Sequence, residues 1–487
     1  MLHLTGSYYT YGTPQPASTE GFFFAIPISF NYPSTGWLIG QSRLARKIMS
    51  FAKSRFLPGL LTILLVGGLA YLAFLYFKDT TPPAASISPD KPAVGAETEF
   101  TATASDPSGL RGLSVIAEQG GKRVVLAQLG NGGTSPLETT FTLADSGLED
   151  GQVKISLRAV DASLHNFGDG NVAELTRTYS YDTRNPRISL LTGTHNLNRG
   201  GSSLALYNLD EKAASGIQVG DRFFPGHQLP SGVHAVLFAF PYDMELADFN
   251  PLLVARDSAG NMRKRSIPFH ANDRSYPHDV INVPDSFLER KMVQYEEEYP
   301  DYSPLETYLK VNREMRKRNR AKLVDISRET ASRVLWEGHF NRLSNSKTMA
   351  GFGDRRTYRY NGEVIDHQTH LGVDLASVRN AQVDAAATGR IVHAGFFGIY
   401  GQSVIIDHGI GLMTLYSHLS QIDVEPGQEV DSGDIVGRTG ATGLAGGDHL
   451  HFGVLVAGLP VNPLEWWDPN WLENNFFGKL RQATATQ

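Results

Sequence analysis

The sequence predicts a mainly β chain hung from one N-terminal transmembrane helix, with a helical connector leading into a C-terminal antiparallel β domain. Three observations carry this reading. An uncharged run of 22 residues, Phe56 to Phe77, stands near the start. Short alternating segments bounded by Gly, Pro, Asp and Asn fill most of the remainder, in a chain with 49 glycines and 25 prolines. Between residues 284 and 343 the two-residue period gives way to a helical one. At 487 residues the chain exceeds a single hydrophobic core, and length alone suggests about three folded units.

The first element is FLPGLLTILLVGGLAYLAFLYF, residues 56–77. At about 1.5 Å per residue it matches a hydrocarbon layer about 30 Å thick. Arg43, Arg46, Lys47, Lys53 and Arg55 precede it, whereas Lys78 and Asp79 nearly cancel behind it. The positive-inside rule then keeps residues 1–55 in the cytoplasm and exports everything after 78. A cleaved signal peptide has a shorter apolar region, about 7–15 residues, and TTPPAAS is a poor cleavage site, so the run reads as an uncleaved anchor. Residues 1–48 are aromatic and dotted with Ser, Pro and Gly, with Glu20 their only acid. Met49 opens MSFAKSRF directly before the apolar run, so a natural start at Met49 is expected, with a disordered cytoplasmic tail as the alternative.

After a Pro-rich hinge, residues 86–183 contain TEFTATAS, LSVIAEQ, KRVVLAQL, QVKISLRAVD and ELTRTYSYD. Strands at this spacing predict an antiparallel β-sandwich. A second such unit is expected over 186–272, because PLLVARDSAGNMRK parallels VKISLRAVDASLHN of the first. The pair loosely resembles tandem Ig-like modules, which implies a spacer. In the connector, 284–343, Ser303-Pro304-Leu305-Glu306 has the form of a capping box. Leu305, Leu309 and Met315 follow, and Lys310, Arg313, Arg316, Lys317, Arg318 and Arg320 crowd the other positions. That basic run is expected to be a solvated face, with a lipid headgroup or an anionic glycan as the alternative contact. Residues 347–471 return to Gly-rich strands.

The net charge of −6 gives no support for nucleic-acid binding. The absence of cysteine excludes disulfides and Cys-ligated zinc, leaving His, Asp and Glu as metal donors. Seven of the 15 histidines fall between 367 and 451. In His370-Leu371-Gly372-Val373-Asp374-Leu375, strand alternation would put His370, Gly372 and Asp374 on one face, with Gly372 leaving room for an ion. In His449-Leu450-His451-Phe452 the same period puts both histidines on one side. In Leu415-Tyr416-Ser417-His418-Leu419 it puts His418 beside Tyr416. An isolated H-x-H is more often incidental than a ligand pair. The three fragments together fit a catalytic zinc, which needs three protein donors and an open position for water.

At this point the order of motifs becomes specific. FGDRR at 352–356, HLGVDLA at 370–376, GRIVHAG at 389–395, YGQSVIIDHG at 400–409, LYSHLS at 415–420, GQEVDSGDIVGRTGATG at 427–443 and HLHFGV at 449–454 resemble the lysostaphin-type, or M23, zinc endopeptidases. The resemblance covers roughly a quarter of the chain. It implies a groove across a compact antiparallel sheet and one Zn2+ per chain held by His370, Asp374 and His451. It also implies that His418 and His449 orient and deprotonate the attacking water, one as general base and the other stabilising the oxyanion, with the assignment open. An imidazole suits the task because its ordinary pKa of about 6.5 lies near working pH. Tyr358 and Tyr360 lie where the family has a transition-state donor. His393 and His408 read as structural, and His367 as a groove-rim residue. Ala445-Gly446-Gly447-Asp448 replaces the family's S/T-x-G-P, a departure that bears on substrate preference.

The function so implied is zinc-dependent hydrolysis of the peptide cross-links of peptidoglycan. The chain is then expected in the cytoplasmic membrane as a single-pass protein with its C-terminal domains on the periplasmic or wall side. Stem peptides and cell-envelope regulators are the expected partners. The alternative from another class is a catalytically silent module of the same fold that activates another wall hydrolase. Degenerate modules lose ligands or catalytic histidines, and all five positions are present here.

Overall fold

The computed structural model describes residues 56–485. The expectations for the N-terminal segment, including the Met49 start and the basic flank ending at Arg55, lie outside the described residues. The apolar run is one unbroken helix, α1 (Phe56–Phe77), long and apolar enough to cross a membrane by length and composition. Leu60, Ile63, Leu64, Leu69 and Phe74 are all exposed, which in water would be costly around a whole helix. It belongs to one compact unit, and residues 80–487 form another.

Strand alternation in the first β unit buries one face of each of two sheets. A five-stranded sheet runs in the order Ala93–Val94, Val172–Tyr181, Gly151–Asp161, Leu110–Gln119, Lys122–Thr134. A three-stranded sheet is made of Ala84–Ser88, Phe100–Ser105 and Leu137–Phe141. Phe100, Val115, Ile155 and Tyr179 fill the space between them. The second unit has two four-stranded sheets, centred on Ser202–Leu209 and on Ala214–Val219. The sequence parallel between the units has a physical counterpart. Asp161 closes the loop after its strand by accepting from Asn171 Nδ2 at 2.7 Å, and Asp257 does the same with Asn261 Nδ2 at 2.9 Å.

The second unit departs from the spacer expectation. Its core, with Leu206 and Phe238, is continuous with that of the C-terminal domain, with Phe452 and Trp466. The Ser202 amide also donates to the buried Glu465 carboxylate at 3.0 Å. Tyr207, Phe238, Phe240 and Trp466 are each wholly buried. Such burial is worth roughly 2–3 kcal/mol per large side chain, so the unit is structural support and not a tether.

The C-terminal region is built on one large antiparallel sheet. The strands that position the site are, in chain order, β1 (His278–Asn282), β2 (Lys347–Ala350), β3 (Arg355–Tyr360), β4 (Glu363–Thr369), β5 (Val373–Ala376), β6 (Gly389–Phe396), β7 (Gln402–Gly409), β8 (Leu412–Leu419), β9 (Glu429–Val430) and β10 (Leu450–Val456). The main sheet runs β2-β5-β10-β8-β7-β6-β9, and β1, β3 and β4 form a separate three-stranded sheet. One face of the main sheet, with Val404, Ile406, Tyr416 and Phe452, packs into the shared core. The other, with Ile405, Met413, Leu415 and Leu455, is covered by helices.

Those helices are α2 (Asp285–Met292), α3 (Pro304–Lys310) and α4 (Arg316–Ile326). The connector is therefore helical only to residue 329, and residues 330–346 run as extended chain and turns. The capping box at α3 is formed in both directions: the Ser303 side chain accepts from the Glu306 amide, and Glu306 reaches back to the Ser303 amide at 2.9 Å. Val311–Met315, between α3 and α4, is a π-helical turn. Such turns occur often at functional sites, and this one faces the groove.

Candidate metal centre and groove

Register puts the first two donors together. Asp374 of β5 pairs directly with His451 of β10, and directly paired residues in an antiparallel ladder point to the same side. Their neighbours Val373, Leu375, Leu450 and Phe452 go to the opposite side and are buried. His370 joins them from outside the strand, because β5 begins only at Val373. The His370 amide donates to the Asp354 carbonyl at 2.9 Å, and its own carbonyl accepts from Gly353 at 2.7 Å. The shared strand face expected for 370, 372 and 374 is thus replaced by a turn. Gly372 also has a different task from leaving room for an ion. A Cβ there would stand 2.5 Å from His451 Nε2 and 2.7 Å from the Phe452 carbonyl, so the glycine admits the His451 ring.

His418 does not share a side with Tyr416. Ser417 is the residue paired with His451, so strict alternation would turn His418 away from the site. Its backbone is left-handed, φ 64°, and this carries the imidazole over to the site. Tyr416 points into the core, where its hydroxyl accepts from the Ala386 amide at 2.7 Å. The His418 ring centroid lies 4.9 Å from that of His449 and 5.8 Å from that of His451.

The donor atoms fit a cation. His370 Nδ1–H donates to the Gly351 carbonyl at 2.7 Å, which leaves Nε2 with only a lone pair. That Nε2 lies 2.9 Å from Asp374 Oδ1 and 3.0 Å from His451 Nδ1, and the last two are 2.9 Å apart. Lone pairs on a neutral imidazole and a carboxylate at this distance repel unless a positive charge lies between them. His451 Nε2 is buried without a hydrogen-bond partner. Two imidazoles and one carboxylate, with no thiolate, suit Zn2+ with a position left over.

Electrostatics separates the remaining histidines. Burial holds the His418 pKa well below the usual value, with the neighbouring His449 adding to the effect, so its imidazole is neutral. Burial also lowers His449, but the facing Asp374 carboxylate, 3.6 Å away, outweighs it and the net shift is upward. Both keep Nδ1–H on a backbone carbonyl at 2.8 Å, Thr442 for His418 and Gly447 for His449. Each therefore leaves Nε2 for other work. His408 is a core residue, held between the Thr388 carbonyl and the Thr414 hydroxyl and lowered to about 4 by burial. His393 packs edge-on against Phe397.

These groups open into a cavity of about 350 Å3. One wall is made by α2, α3, the π-helical turn and the start of α4, through Phe287, Tyr308, Asn312 and Arg316. Tyr358 and Tyr400 line it as well, whereas the Tyr360 hydroxyl is turned away and donates to Asp285 at 2.8 Å. Sequence reasoning assigned no role to Arg356, which donates to Asp374 Oδ2 at 3.2 Å and orients the carboxylate from the far side. Its place in FGDRR was the available signal. Asn312 and Arg316 gave none, since a basic helix reads as solvated until its packing is known.

Residues 368–463 match Peptidase family M23. The C-terminal domain is an M23 peptidase domain. The chain is 38% identical over 135 residues to the DD-carboxypeptidase/endopeptidase Mpg of Neisseria meningitidis serogroup B, covering 27% of this chain and 30% of that protein. It is 34% identical over 122 residues to the peptidoglycan DD-endopeptidase ShyA of Vibrio cholerae, covering 25% and 28%. Among solved structures, the catalytic domain of lysostaphin from Staphylococcus simulans is 29% identical, covering 26% of this chain and 96% of that one, with a TM-score of 0.23. The chain thus spans about 30% of the length of the curated relatives it matches. In this M23 domain the unusual loop 445–448 is pinned by Asp448, whose Oδ1 accepts from the Thr439 hydroxyl at 2.6 Å. Gly446 of this loop and Leu444 just before it line the cavity.

Proposed function

We propose that this protein is a zinc-dependent endopeptidase that hydrolyses peptide cross-links of peptidoglycan on the exported side of the cytoplasmic membrane, to which α1 anchors it. The single observation that carries the reading is the convergence of His370 Nε2, Asp374 Oδ1 and His451 Nδ1 within 3.0 Å of one another, with the His418 and His449 imidazoles beside them. The relatives named as DD-endopeptidases support the substrate class.

His370, Asp374 and His451 would hold the metal. When bound, Zn2+ supplies a Lewis acid and lowers the pKa of a water from about 15.7 towards 7. The protein's own residues do the rest. Arg356 fixes the Asp374 carboxylate, and the Gly351 carbonyl fixes the His370 tautomer. His418 and His449 each keep a reactive Nε2, so one takes the proton of the attacking water and the other faces the oxyanion that forms. Tyr358 and Tyr400 narrow the groove and limit water around the peptide.

The test is digestion of purified, composition-defined cross-linked wall fragments by the full-length protein in detergent, with products identified by mass. New amino termini that form with zinc and vanish with a chelator are the expected result. A protein that binds one zinc per chain yet cuts no fragment would be the silent regulatory module instead.

A further inference from the structure

The groove does not end at the metal donors. A second cavity of about 540 Å3 adjoins the first through Arg356, which lines both. Thr369 lines the second and its chain neighbour His370 the first. The second cavity is cationic. Arg320 of α4 forms one wall, Arg355 and Arg356 of β3 another, and His278 and His367 complete it, with no carboxylate among its lining residues. Arg320 and Arg355 make no salt bridge among the described residues, and Arg356 has only Asp374. The Nε atoms of Arg320 and Arg356 are buried with no hydrogen-bond partner.

The basic run of the connector is thereby explained in part. Arg316 and Arg320 stand four residues apart and share a helix face. Arg316 lines the metal cavity and Arg320 the next one, so guanidinium groups lead from one to the other. Unpaired like charges held side by side repel, and a flat bidentate anion relieves that repulsion. Guanidinium forks suit a carboxylate in particular.

We infer that the cavity bounded by Arg320, Arg355 and Arg356 is a substrate subsite that binds a free carboxylate of the cleaved peptide, one or two residues from the scissile bond. The inference rests on the peptidase reading and adds to it a requirement: the peptide carries an acidic group there, and an amidated peptide is disfavoured.

The test uses two cross-linked stem-peptide dimers that differ only in whether their carboxylates are free or amidated, with full-length wild-type protein and the Arg320→Gln/Arg355→Gln variant. Neither arginine touches the metal donors. Wild type is expected to favour the free-acid dimer by roughly tenfold in KM, the usual worth of charge-assisted hydrogen bonds in a partly open site. The variant should lose that preference while its kcat and KM for the amidated dimer stay unchanged. Equal loss on both dimers would mean a structural role and overturn the inference, as would no change on either. Calorimetric binding of the same dimers separates the two readings. A wild type that binds the free acid more tightly and cleaves neither keeps the subsite and loses the peptidase. A wild type that cleaves and binds both equally keeps the peptidase and loses the subsite.

Discussion

The imidazoles of His418 and His451 stand 5.8 Å apart, although the ladder that joins their strands would send them to opposite sides of the sheet. The left-handed backbone at His418 makes the difference. For a residue with a Cβ this conformation costs about 1–2 kcal/mol. The bond from Nδ1–H to the Thr442 carbonyl and the burial of the ring offset that cost. Strain of this kind, kept at a site where a side chain must be re-aimed, accords with a chemical task for His418.

Ligands and proton-handling residues should part company on substitution. Asp374→Ala or His451→Ala removes one of three donors, so bound zinc and activity should fall together. His418→Ala should keep about one zinc per chain while the rate falls by roughly 10²–10⁴, the usual worth of a positioned acid or base. Metal analysis alongside turnover decides it. If His418→Ala loses zinc as fully as Asp374→Ala, His418 is a fourth ligand and the site is structural.

Gly372→Ala tests the close approach of the His451 ring. The added methyl would meet His451 Nε2 at 2.5 Å and must displace it. Zinc affinity should drop by roughly tenfold or more, comparable to loss of an orienting group around a metal. Competition with a chromogenic chelator measures this, and unchanged affinity would show that the ring can move without cost.

Glu465 makes stability fall with rising pH. Burial pushes its carboxyl from 4.5 up to about 7 in the folded protein, against the opposing Ser202 bonds. The folded chain then holds a proton that the unfolded chain releases. The associated stability is fully present below about pH 4.5 and is lost as pH rises towards 7, by about 3 kcal/mol at most. Glu465→Gln should lack this slope. Melting temperatures of both proteins between pH 4.5 and 8 give the comparison, and parallel curves would refute it.

The shared core predicts which pieces fold. A chain of residues 347–471 leaves the faces normally covered by Phe238 and by the helices open to water, and it should aggregate. A chain of residues 184–487 keeps both covers and should be monodisperse and melt cooperatively. Sedimentation and calorimetry check this. A soluble, active 347–471 would show that the second β unit is dispensable.

The proposed anchoring by α1, with the basic flank before it inside, predicts an orientation. A reporter that works only in the cytoplasm, fused after residue 487, should be silent, and external protease should digest the chain after residue 80 in opened envelopes. A live cytoplasmic reporter would remove the wall substrate.

The sequence by itself determined much of this protein. An uncharged 22-residue run reads as one long apolar helix, and alternation bounded by Gly and Pro reads as strands, and both elements are present. The side that Asp374 and His451 each take on their own strands was readable too, since period-2 alternation separates HLHF and GVDL into a polar and an apolar side; that these two strands pair was not. What tertiary structure decided is everything that depends on a distant neighbour. His370 is held off the strand by Gly351, Gly353 and Asp354; His418 is turned by the loop that carries Thr442; and Arg316 and Arg320 face a groove that strands forty residues away complete. The second β unit reads as a spacer because its alternation is self-sufficient, and only packing shows that its buried face continues into the M23 domain. Local periodicity sets which side of an element is apolar. Which other element covers that side, and where a turn breaks the period, are set by long-range contacts that no local pattern encodes.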